Sequence, residues 1–359
     1  MHHDLFAATD PVLLPLVSDR KVPTIEPLPI SPWLAMSGMQ KAIRRGDVDL
    51  ALRAAATLLK ADPAKLWRRL CGIVYEDVSI GSVDTIRLVM AATRSKSLRE
   101  EFGGEWAVAS RLVEQMAISP KDRAADDLLW TVAQHHELEE LRASQAGADL
   151  SEHLSHIRAR GALLGASLSV LHTSGVRWDG QVAGKIANAA ATFDAMRDAG
   201  ADPAIVALAE QGFRRTREAL PLLLPMLALA MPTGELPTQD DEFPPVVIGH
   251  KSGLPTFAYD AFSYEGKTAL ARFLKRDTMT GRWLRRYVPA ERRMAVLAGG
   301  LFRVEGGLVK QRVIWPCAVT LRWLADSGYH GMKLTDPAGF LDMIRADLPA
   351  IDEERADVC

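Results

Sequence analysis

Residues 37–81 read SGMQKAIRRGDVDLALRAAATLLKADPAKLWRRLCGIVYEDVSIG, and this stretch decides the fold. Asp47 stands where a helix cap is needed, just before Leu50, Leu52, Ala55, Leu58 and Leu59. Asp62-Pro63 repeats the signal: a carboxylate accepts from first-turn amides, and a proline follows where its missing N–H costs nothing. From there Leu66, Trp67, Leu70, Ile73 and Val74 recur at helical spacing. The stretch predicts three short helices with charges gathered on them: Lys41, Arg44 and Arg45, then Arg68 and Arg69, then Glu76 and Asp77.

Three readings of those charges compete. Carboxylates at a helix C-terminus oppose the macrodipole unless a cation compensates, so an ion-pair network is expected, with Arg44 or Arg45 reaching Glu76 or Asp77 across a helix interface. A basic patch facing DNA phosphates is the sharper alternative. A catalytic carboxylate pair would have to face one substrate, whereas neighbouring helical residues diverge by ~100°.

Working outward, the chain has 359 residues, enough for one large domain or two ordinary ones. It is 48% hydrophobic and 25% charged, which allows a sizeable core. Its formal net charge of −2 demands neither nucleic acid nor an anionic membrane as partner, so any basic surface must be local. Cys71, Cys317 and Cys359 are too scattered for a disulfide framework, and a reducing, cytoplasmic setting is expected. The first residues, MHHDLFAATD, lack the basic start and apolar core of a secretory signal. The apolar run Ala219–Met231 holds 13 residues and two prolines, which predicts a buried, kinked helix rather than a membrane span.

Six prolines between residues 11 and 32 predict an extended arm over residues 1–32. Helical signals then dominate residues 33–230, where Ser119-Pro120 and Asp202-Pro203 offer further helix starts. Residues 231–255 carry five prolines, three glycines and an acidic run, the composition of a linker. Residues 256–350 form a smaller basic domain, helical over Tyr264–Lys275 and Thr280–Tyr287. Gly299-Gly300 and Glu305-Gly306-Gly307 there suggest a β-hairpin, although a helix pair explains the same apolar residues. The last helix is expected from Pro337 to Leu348, with a fraying acidic tail. The fold class is therefore mainly α: a helical bundle domain with a smaller α, or α+β, C-terminal domain.

Ser37, Lys41, Ile43, Arg44, Asp47, Ala51-Leu52, Leu58-Leu59, Asp62-Pro63, Arg68-Arg69-Leu70 and Glu76-Asp77-Val78 fall at spacings that resemble the helical C-terminal region of the MgsA/RarA replication-associated recombination ATPases. Asp4-Leu5-Phe6 and Leu14–Arg20 resemble the arm with which those proteins begin. The likeness covers residues 4–20 and 34–92. Only Lys21–Ser31 intervene, so the AAA+ motor of that family has no place here. The resemblance implies self-assembly into an oligomer and a DNA-replication or repair setting, without ATP-driven remodelling. Asp4, Leu5 and Phe6 are also similar to peptides that bind the bacterial sliding clamp, with a leucine and a phenylalanine as anchors. The alternative is that this arm docks on its own helical domain.

The segment Lys267–Arg293 is the strongest local charge feature. Lys267, Arg272, Lys275, Arg276, Arg282, Arg285, Arg286, Arg292 and Arg293 face only Asp277 and Glu291. Phe273, Trp283 and Tyr287 interleave. Phosphates bind such surfaces by counterion release, and exposed rings stack on bases; the competing reading is a solvated face with its aromatics in the core. Lys267, Arg272, Lys275, Arg276, Arg282, Arg285 and Arg286 are the candidate nucleic-acid contacts.

Other chemistry is not indicated. Ala261–Thr268 fits a loose phosphate loop, but Phe262, Tyr264 and Glu265 are poor residues for wrapping phosphate, and a helix start is expected instead. His153 and His156 lack further ligands at a familiar spacing, and Ser167 and Ser169 lack a nearby base in sequence, so no metal, cofactor or catalytic residue is assigned. The expectation is a non-enzymatic, DNA-associated factor that oligomerises through its helical domain and contacts DNA or the sliding clamp. Its alternatives are an interaction scaffold of a mobile element and an enzyme whose site the sequence hides.

Overall fold

The computed structural model describes residues 21–159, 162–176, 186–250, 253–329 and 331–358. Asp4, Leu5 and Phe6 lie outside these residues. The protein is mainly α, with two small antiparallel pairs of strands. No helix among the described residues is long and apolar enough to cross a membrane.

The opening helices follow their caps. Ser31 accepts from Leu34 N and starts α1 (Pro32–Arg45), which ends on Gly46 at φ 67°, the left-handed geometry that glycine adopts without penalty. Asp47 caps α2 (Val48–Ala61), and Asp62 caps α3 (Pro63–Ile73). The helix then widens into a π turn over Val74–Val78, which carries Glu76 and Asp77. Next come α4 (Val83–Ala92), α5 (Lys96–Glu101), α6 (Glu105–Ile118) and α7 (Ala124–Gln134). Ser119-Pro120 does not start a helix; Ser119 ends α6, and α7 begins after Asp122, whose Oδ1 accepts from Ala124 N at 2.8 Å. The layer continues with α8 (Glu139–Gln145), α9 (Leu150–Arg158), α10 (Leu163–Ser174), α11 (Ala189–Asp198), α12 (Pro203–Thr216) and α13 (Leu220–Ala230). Pro225 sits inside α13, and Leu220–Leu227 are buried.

The described part of the expected linker, residues 231–250 and 253–255, is bound to the fold through Thr238–Asp241. Strand β1 (Thr238–Gln239) pairs with β2 (Arg312–Val313), and Asp241 accepts from Arg312 at 2.5 Å and Arg322 at 2.8 Å. Beyond them lie α14 (Tyr264–Phe273), α15 (Met279–Tyr287), α16 (Arg293–Leu301), a second π turn over Phe302–Gly306, and α17 (Pro316–Ser327). A two-residue hairpin, β3 (Gly328–Tyr329) with β4 (Met332–Lys333), leads to α18 (Pro337–Val358).

Two further sequence expectations change in the C-terminal part. No hairpin forms over residues 299–315. Gly299 and Gly300 lie inside α16, where a Cβ would collide with Tyr329 and with Phe340 and Ile344; they permit close packing instead of a turn. Nor does the tail fray at Leu348: α18 runs through Pro349 to Val358, and Arg355 is only 1% exposed.

Apolar side chains form two cores. The larger gathers α1–α13 together with Val313, Trp315 and Leu321; the smaller gathers Leu270, Phe273, Leu284, Val296, Leu301, Tyr329, Phe340, Ile344 and Ile351. Between them runs a seam of charge.

Candidate functional site

The seam begins at α1. Arg44 Nε donates to Asp77 Oδ1 at 2.6 Å, Nη2 to Glu76 Oε1 at 2.5 Å, and Nη1 to Gly306 O at 2.6 Å. The two adjacent carboxylates, both on the π turn, therefore meet on one guanidinium instead of diverging. Asp77, fully buried, also accepts from Arg123 and, at 3.0 Å, from Gln40 Nε2. Arg69 donates to Gln40 and lies 3.5 Å from Glu76. Burial pushes the Glu76 carboxyl up, but Arg44, Arg69 and Arg123 outweigh it and hold it well below the usual carboxylate range.

The other predicted cluster members part company. Lys41 turns to Asp260, with Ser37 hydrogen-bonded to both. Arg45 stacks over Phe257 at 4.1 Å and Phe243 at 4.8 Å. Arg68 is exposed and makes no ion pair among the described residues.

Farther along, the seam uses residues that local spacing did not reveal. Arg303 bridges Asp127, at 2.6 Å, and Asp326; Arg355 Nη2 lies 2.8 Å from Glu305 and Nη1 3.1 Å from Asp352. The Phe302 ring lies against both Arg44 and Arg123. Arg123, Asp127, Arg303, Gly307, Arg312 and Arg322 line a small recess of about 10 Å³, room for about one water. The chemistry of the seam is charge neutralisation between two cores.

Asp122 gives a pH signature at the edge of the larger core. Its Oδ2 accepts from Trp315 Nε1 at 2.6 Å, yet burial pushes its carboxyl up to about 6 from an ordinary 3.8. The folded protein thus holds this proton more tightly than the unfolded chain. The resulting stabilisation is present below pH 3.8 and is lost as pH rises through about 6. Compared with Asp122→Asn, the wild type should lose stability between about pH 4 and 6, seen as a changing gap between their urea midpoints.

Seven candidate nucleic-acid contacts lie on α14 and α15 and the turn between them. Lys267, Arg272 and Lys275 are exposed, and none makes an ion pair among the described residues. With Tyr264 they line one side of α14 and the turn that follows it, opposite buried Gly266, Ala269, Leu270 and Phe273. Arg276 instead pairs with Glu353 and Glu354 on α18, and Arg282 and Arg285 share Asp277. Arg285 also donates to Leu274 O and Arg276 O, while Arg286 lies over Tyr287 at 5.2 Å. Phe273 belongs to the core, Trp283 packs on Phe340 at 4.6 Å, and Tyr287 is exposed. The phosphate-loop look-alike is the start of α14: Ser263 caps it, and Thr268 donates to Tyr264 O.

No family model, curated protein or solved structure matches the chain. The site must therefore be weighed on its own geometry.

Sequence spacing missed one constellation. Ser169 Oγ lies 3.1 Å from His153 Nδ1, 3.3 Å from His156 Nδ1 and 3.0 Å from Gln145 Oε1. Its base was hidden because it comes from α9, a different helix. Ser169 and His153 are buried and His156 is exposed, and the group ties α9 to α10 and Gln145. Among the described residues no group of His, Cys, Asp and Glu side chains is placed to hold a metal.

Proposed function

We propose that the protein is a non-enzymatic nucleic-acid-binding factor whose α14–α15 face engages phosphates. The observation that carries this reading is the row Lys267, Arg272 and Lys275, two exposed cations on α14 and a third in the turn after it, on a helix whose only carboxylate, Glu265, is half-buried. Four arginines, Arg44, Arg123, Arg303 and Arg355, pair with internal carboxylates. The row on α14 has no such internal partner, and a phosphate backbone supplies one while releasing counterions. DNA is the nucleic acid favoured by the MgsA/RarA resemblance, and self-association through the helical domain belongs to the same reading.

The test is a triple charge reversal, Lys267→Glu, Arg272→Glu and Lys275→Glu, assayed by fluorescence anisotropy on labelled DNA at low salt. Losing three phosphate contacts should weaken binding by at least about a hundredfold, with the thermal midpoint little changed because these side chains are exposed. Unchanged affinity would remove this face from the function.

A further inference from the structure

The end of the α14 row carries a second feature that phosphate binding alone does not use. Phe262 is 83% exposed and Tyr264 is 82% exposed, the greatest exposures among the large apolar side chains described. They flank Ser263, which is buried and caps α14 through a 3.0 Å bond from Gly266 N. The loop below them is fixed. Phe262 N donates to Asp260 Oδ1 at 2.9 Å, and Ser263 N donates to Asp260 O at 3.1 Å. The same aspartate takes Ser37 at 3.0 Å and the Lys41 ammonium through Oδ2. Gly266 lies so close to the Asp260 backbone that a Cβ there would overlap it, which locks helix against loop. One turn before Ser37 on α1, Trp33 is 59% exposed, with Lys65 Nζ 5.2 Å from its ring centroid.

Two rings held out into solvent by a rigid, hydrogen-bonded turn are not serving either core. Beside them, α14 runs for roughly 14 Å with Lys267 and Arg272 exposed along it, and Lys275 follows in the turn after its end. Aromatic faces next to a cationic track suit bases that are free to unstack, because a duplex keeps its base faces inside the helix.

We infer that Phe262 and Tyr264 form a stacking platform for single-stranded nucleic acid, whose backbone then runs along Lys267, Arg272 and Lys275. This rests on the phosphate-binding reading above and specifies its substrate. The fixed turn around Asp260 presents the rings already in place, so little ordering is needed on binding. The platform lies outside the residues that resemble the recombination ATPases.

The experiment compares labelled oligo(dT), oligo(rU) and a DNA duplex on the full chain, on Phe262→Ala/Tyr264→Ala and on Phe262→Trp/Tyr264→Trp. Both positions are exposed, and circular dichroism confirms the fold of each variant. The wild type should bind both single strands more tightly than the duplex. The alanine pair should lose at least about tenfold on the single strands and keep its duplex affinity, and the tryptophan pair should restore single-strand binding. Single-strand affinity that ignores the rings but falls on charge reversal of the α14 cations overturns the platform and leaves the phosphate reading standing. A wild type that binds none of the three probes at low salt overturns both.

Discussion

Asp77→Ala should destabilise the protein by about 3–5 kcal/mol, a large share of the stability of an ordinary domain. Asp77 is fully buried and accepts from Arg44, Arg123 and Gln40. Truncation removes the acceptor and leaves two guanidiniums and an amide facing one another without water. The high cost comes from those stranded donors rather than from the strength of the pair itself, since a buried ion pair can be nearly neutral against an apolar replacement. Arg44 retains Glu76 and Arg123 retains Asp126, which keeps the loss from going higher. Urea unfolding measures it. Arg68→Ala is the matched control, because Arg68 is exposed on the adjoining helix and should change stability by less than about 0.5 kcal/mol.

Arg355→Ala should cost a similar amount, about 3–5 kcal/mol, from the other end of the chain. Arg355 is 1% exposed and neutralises Glu305 and Asp352. Its loss leaves two buried carboxylates beside one another, and their repulsion should loosen the end of α18 from the second π turn. Hydrogen exchange should therefore rise first in residues 349–358 and 302–306. Unchanged protection there would mean that α18 is held by its apolar face alone, through Leu348 and Ile351.

The sequence made the local structure readable where one residue type performs one job. Asp47, Asp62 and Asp202 each accept from a first-turn amide, and the prolines after Asp62 and Asp202 occupy the first helical turn. The row at α14 was readable for a related reason: its side chains lie on one short segment of chain, the helix and the turn that follows it. The seam was legible only at its near end, where Arg44 meets Glu76. Arg303 and Asp127 are separated by 176 positions, and no local spacing announces such a pair. Glycines misled the reading of residues 299–307 because their signature is the same whether they supply a turn or remove a side chain from a tight contact. At Gly299 and Gly300 they do the latter. The tail looked solvated because its acidic residues dominate its composition, yet buried Arg355, the Arg276 pairs with Glu353 and Glu354, and the apolar Ile351 hold it.

The salt dependence of single-strand binding tests the central claim most directly. With Lys267, Arg272, Lys275 and Arg286 each neutralising a phosphate, log affinity against log salt should fall with a slope of about −3. Charge reversal at Lys267, Arg272 and Lys275 should flatten that slope to about −1 or abolish binding. A wild-type affinity that does not change with salt, or a slope untouched by the reversal, would contradict a phosphate-binding face on α14.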